Sequence, residues 1–184
     1  MWIALIVVVV LLIVWIIGVY NNLVSLKMRV KNAWAQIDTQ LKRRFDLIPN
    51  LVETVKGYAA HEQGTLEKVI AARNTYASAT SVEDKAKANN ELTSTLKSIF
   101  ALGEAYPELK ANENFLNLQD ELAGTENRVA TARKDYNDAV KAYNTKIQTI
   151  PSNIIANMMG KQQREYFEVS DESKKDVPVV DFSE

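Results

Sequence analysis

The residues able to do chemistry are few. The single histidine, His61, stands in the string HEQGT. That is not H-E-x-x-H, so a zinc-protease pair fails on spacing. A Ser-His-Asp arrangement would use His61, but the glycine pattern of a nucleophile elbow is missing. A ferritin-like di-iron bundle needs two Glu-x-x-His motifs, and here Tyr58 stands where the Glu should be. The six glycines are scattered and form no phosphate loop, and the absence of cysteine removes thiolate metal sites, disulfides and a thiol nucleophile. His61 then reads as a surface or capping residue at a helix junction. The expectation is a protein with no catalytic residues, no metal and no cofactor.

Three polar groupings remain. Asp46 and Glu53 lie seven apart on one helical face, either as a carboxylate pair or as part of a charge network with Arg43 and Arg44. Arg44 interrupts an apolar seam between Leu41 and Ile48. A buried, unpaired guanidinium is costly, so Arg44 is expected to pair with Asp46, Glu53 or an acid of the last long helix. Tyr136-Asn137 recurs seven residues later as Tyr143-Asn144. Its plain reading is interhelical hydrogen bonding that fixes register, and its sharper one a ligand groove.

The elements that must position these residues begin with a membrane span. Residues 1–17 contain no polar side chain, and Gly18, Val19 and Tyr20 complete the run. Nineteen helical residues reach about 28 Å, the thickness of a bilayer core. A cleaved signal would need a basic start, a shorter core and a small-residue cleavage site. Trp2 at one end, and Trp15 and Tyr20 near the other, serve as interface anchors. Lys27, Arg29 and Lys31 follow the span against a lone Asp38. The positive-inside rule then puts the N-terminus outside and the main domain in the cytoplasm, with a periplasmic domain as the alternative.

The rest of the chain suits one domain. With 22 basic and 23 acidic residues it has no nucleic-acid footprint. Val30, Trp34, Ile37, Leu41, Arg44, Ile48, Leu51, Val55 and Tyr58 recur at steps of four and three, a seam of packed helices that is apolar at every place but Arg44. One helix is expected from the bilayer to about residue 60, with Pro49 either disturbing it or sitting in the first turn of a restart capped by Asp46. Further helices are expected over 62–79, from a Ser81–Asp84 capping start to Pro107, and over 112–149. A short helix, SNIIANMM, ends at Gly160. The predicted fold is all-α. A transmembrane helix (1–20) continues into an up-and-down antiparallel four-helix bundle (21–160), followed by an extended tail (161–184). The fourth helix then descends towards the bilayer. Ile154, Ile155, Met158 and Met159 would touch lipid or, preferably, a neighbouring subunit, unless they cover the bundle's own end.

Three strings, RRFDLIPNLVETVKGYAAHE (43–62), ENRVATARKDYNDAVKAYNTKIQTIPSN (126–153) and REYFEVSDESKKDVPVVDF (164–182), resemble the signature of LemA proteins. Arg43, Arg44, Asp46 and Pro49 fall in the first block; Tyr136, Asn137, Tyr143 and Asn144 fall in the second. Ile150 departs from the aromatic common before the proline. The resemblance implies a bacterial inner-membrane protein with a helical bundle and a short extracytoplasmic N-terminus, and carries over no catalytic residue. Two functions follow as expectations. One is a non-enzymatic scaffold that forms homo-oligomers or recruits unidentified membrane-protein partners. The other is a sensor whose bundle holds a small ligand.

Overall fold

The structure, a computed structural model, describes residues 1–168. It is helical throughout, with no strand among the described residues. Helix α1 runs unbroken over Trp2–Lys56, followed by α2 (Gln63–Ser78), α3 (Val82–Ala105), a single turn α4 (Pro107–Lys110), α5 (Glu113–Gln148) and α6 (Ser152–Met158). The span and the first helix of the body are therefore one element. Pro49 lies inside α1, which passes through it without a restart. The exposed Pro49 sits on the outer face of α1, whose inner face is the buried seam Ile37, Leu41, Arg44, Ile48, Leu51 and Val55.

Capping explains the other boundaries. Ser81 Oγ accepts the Asp84 amide at 3.0 Å and its hydroxyl donates to the Asp84 carboxylate at 2.7 Å, which satisfies an orphan donor at the start of α3. Asn112 does the same for α5, accepting from Phe115 N at 3.0 Å. The α4 turn adds to the helices expected from the sequence: Pro107 ends α3 but is itself suited to a first helical turn, so one more turn forms at once. Helix α6 closes with a Schellman motif. Gly160, at φ +59°, lets its own amide reach Asn157 O and the Lys161 amide reach Ala156 O, both at 3.0 Å.

Helices α1 and α5 pack along one another in opposite directions. Arg128 of α5 bonds Gln40 at 3.0 Å, and Asn112, just before α5, bonds Tyr58, just after α1, at 2.9 Å. Helices α2 and α3 pack as a hairpin against them. Two apolar clusters result. The distal one joins Ile48, Leu51 and Val55 of α1 to Leu66, Val69, Leu92, Leu96, Ile99, Phe115 and Leu122. The proximal one joins Val19, Leu23, Val30, Ile37 and Leu41 to Tyr76, Val129, Tyr136, Val140, Tyr143, Ile147, Ile155 and Phe167. Because Ile147, Ile155 and Ala156 share a cluster with Val19 and Leu23, the end of α5 and all of α6 lie where α1 leaves its apolar stretch. The side chains of α6 divide. Ile155 is buried and Met159 packs on the core, covering the domain's own end, while Ile154 and Met158 are exposed at 57% and 81%. Residues 161–168 form neither helix nor strand and lie along α5; the rest of the expected tail, VPVVDF included, falls outside the described residues.

Candidate functional site

Arg44 is the one fully buried cation among the described residues. Its Nη1 donates to Asn89 Oδ1 and Thr93 Oγ1 of α3, each at 3.0 Å, and its Nη2 lies 3.7 Å from the Glu126 carboxylate of α5. The guanidinium therefore joins α1, α3 and α5. Nε has no partner. Burial pulls its pKa below the usual arginine value, and Glu126 opposes that shift. Arg43 points outward and pairs with Glu121 of α5. Asp46 is exposed, and Glu53 lines an open groove between α1 and α5. The two carboxylates form no shared site with Arg44. Glu126 is an acid of the last long helix, one of the three partners expected for Arg44; Asn89 and Thr93 were not legible in the sequence, since only packing brings α3 to the arginine.

Asn137 and Asn144 do something other than tie helices together. Each clamps the backbone of the extended segment with its whole amide. Asn144 Nδ2 donates to Arg164 O at 2.9 Å and its Oδ1 accepts from Arg164 N at 2.8 Å. Asn137 Nδ2 donates to Phe167 O at 3.2 Å and its Oδ1 accepts from Phe167 N at 2.9 Å. The spacing follows from geometry. Seven helical residues rise about 10.5 Å, and three extended residues rise about 10 Å. An asparagine heptad thus meets every third peptide of an extended chain. Between the clamps, Tyr136 Oη donates to Glu165 O at 2.9 Å. Burial pushes the Tyr136 hydroxyl pKa above its usual value. Phe167 then drops against Trp34 at 6.0 Å between ring centroids, with Tyr136 on the same indole at 5.5 Å. Tyr143 is buried in the core beside the clamp. The Tyr-Asn repeat was visible in the sequence, but its partner was not, because a backbone has no side-chain signature.

His61 is exposed in the turn between α1 and α2. Among the described residues no three His, Asp or Glu side chains are grouped to hold a metal ion. Trp2 and most of the first seventeen side chains stand exposed around α1, as does Tyr20 at 48%, while Trp15 is exposed at 39%.

One helix long and apolar enough to cross a membrane, running on into a packed helical body, fits a single-pass, membrane-associated helical protein. The model of the LemA family matches residues 33–182, and the chain belongs to that family. Protein LemA of Metamycoplasma hominis is 29% identical over 166 residues, covering 88% of this chain and 74% of that protein. Magnetosome proteins MamQ 1 and MamQ 2 of Paramagnetospirillum magneticum are each 32% identical over 82 residues, 45% of this chain and 29% of theirs.

Proposed function

We propose that the protein is a non-enzymatic, membrane-anchored scaffold at the bacterial inner membrane that self-associates and recruits partner proteins. In this reading the N-terminus is outside and the helical body cytoplasmic, held as an up-and-down four-helix bundle of α1, α2, α3 and α5. The observation that carries it is the asparagine clamp. A surface of α5 holds the chain's own backbone at residues 164 and 167 through the N–H donor and the carbonyl acceptor of two side-chain amides, independent of the side chains presented. Such a surface is suited to binding chain. The exposed Ile154 and Met158 on α6, beside the membrane exit, suit contact between copies.

The test is the particle mass of the full chain in detergent, measured by light scattering with the detergent contribution subtracted. A defined multiple of the single-chain mass supports self-association, and a monomer overturns it. Cross-linked pull-down from membranes then addresses recruitment. One observation favours the sensor reading instead, namely the Arg44 Nε left without a partner in the interior. That reading requires a monomer whose stability rises with a small anion.

A further inference from the structure

Where α1 emerges beyond Tyr20, four cations gather from two parts of the chain. Lys27 and Lys31 stand one turn apart on α1, and Lys161 and Arg164 come from the extended segment after α6. They line two neighbouring cavities that share Lys27 and Arg164. One, of about 200 Å³, is bounded by Lys27, Tyr143, Gly160, Lys161 and Arg164. The other, of about 240 Å³, is bounded by Lys27, Lys31, Trp34, Tyr136 and Arg164. Like charges at i, i+4 on a helix repel, so Lys27 and Lys31 oppose folding unless an anion lies between the cations. Among the described residues none of the four is in an ion pair. The nearest acids of the segment, Glu165 and Glu168, line a different cavity with Glu83 and Lys87.

The level of the cluster is set by the helix. Lys27 lies seven residues past Tyr20, about 10 Å along the axis. The polar layer of a bilayer is about 5–8 Å deep on each side. Side chains on a helix lean towards its N-terminus, which on α1 means back towards the membrane, so the Lys27 ammonium reaches the headgroup layer. The Schellman turn at Gly160 brings Lys161 to the same cavity. The Asn144 clamp fixes Arg164 beside it.

We infer that Lys27, Lys31, Lys161 and Arg164 form a binding site for the phosphate of an anionic phospholipid headgroup from the leaflet that α1 enters. The site does not depend on the scaffold reading. Its test is native mass spectrometry of the full chain released from detergent with equimolar phosphatidylglycerol and phosphatidylcholine. At about fivefold per basic residue, the four-residue site should make the wild-type chain retain phosphatidylglycerol at least ~100-fold over phosphatidylcholine. At about fivefold in affinity per basic residue near a lipid surface, the double variant Lys27→Gln, Arg164→Gln should lose about 30-fold of that retention. A Lys56→Gln, Lys97→Gln control at the far end should keep it. Lys27 and Arg164 are exposed, so both double variants should show wild-type helicity. Equal retention of the two lipids, or equal loss in the control, overturns the site. If millimolar inorganic phosphate displaces the lipid as well as excess phosphatidylglycerol does, the occupant is soluble phosphate and the lipid assignment fails.

Discussion

Replacing Arg44 tests the interior most sharply, because one side chain holds three helices. Arg44→Ala removes the donors to Asn89 and Thr93 and leaves Asn89, only 8% exposed, with an unbonded Oδ1. Stranding such a group costs about 1–3 kcal/mol. The truncated stem adds a cavity in a closed core. Against this, relief of the guanidinium's own desolvation returns part of the loss. Glu126 contributes little, since it is half-exposed and water replaces its partner at 3.7 Å, an interaction worth under ~1 kcal/mol. The net expectation is a loss of about 3 kcal/mol. In a chain of this length that lowers the melting temperature by about 10 °C, at about 2–4 °C per kcal/mol. Thermal unfolding of the full chain in detergent, followed by helical circular dichroism, measures it. Arg44→Met combined with Asn89→Leu should recover most of the loss, because a buried ionic group replaced together with its partner by apolar side chains is neutral or stabilising. A loss under ~0.5 kcal/mol for Arg44→Ala would show a solvated side chain and refute the reasoning.

Three further outcomes follow from particular contacts. Asn144→Ala should speed hydrogen exchange of the Arg164 amide more than tenfold while leaving the α2 amides unchanged; unchanged Arg164 exchange would mean the clamp does not hold the segment. Burial raises the Tyr76 and Tyr136 hydroxyl pKa values above their usual level of about 10, so the unfolded chain ionises first. Stability is then intact below about pH 10 and falls as pH rises beyond it, and Tyr76→Phe, which removes a hydroxyl lacking a hydrogen-bond partner, should flatten that fall in alkaline unfolding curves. Gly103→Ala places a Cβ 3.0 Å from Phe115 Cε1; overpacking of about 1–3 kcal/mol, set against about 1 kcal/mol gained in helix propensity, should leave a net loss of up to about 2 kcal/mol in the same melting assay, whereas a net gain would show that the ring shifts freely.

What the sequence made legible was whatever repeats along one helix. The 4-3 spacing from Val30 to Val55 marks the buried face of α1, because helical period alone decides which side chains face inward. The LemA family was legible in the blocks around Arg44, Asn137 and Asn144, and the apolar first helix in residues 1–20. Distant pairings were not legible. The partners of Arg44 lie 45 and 49 residues away, and those of Asn137 and Asn144 are peptide groups, which every residue carries. The Tyr-Asn heptad is visible in the sequence, but interhelical bonding would need a helix on the other side, where an extended segment lies. The basic cluster escaped for a similar reason: Lys27 and Lys31 look like a solvated helix face until the turn at Gly160 brings Lys161 and Arg164 beside them.

The central claim is that α1 crosses the bilayer and carries the helical body on one side of it. The chain has no cysteine, so single cysteines placed in a short polar extension before Met1 and at position 61 can be labelled without background. A membrane-impermeant maleimide added to sealed spheroplasts should modify the N-terminal extension at once and position 61 only after permeabilisation. Labelling of position 61 but not of the extension would reverse the orientation. Modification of both sites in sealed spheroplasts, or of neither, would contradict the span itself.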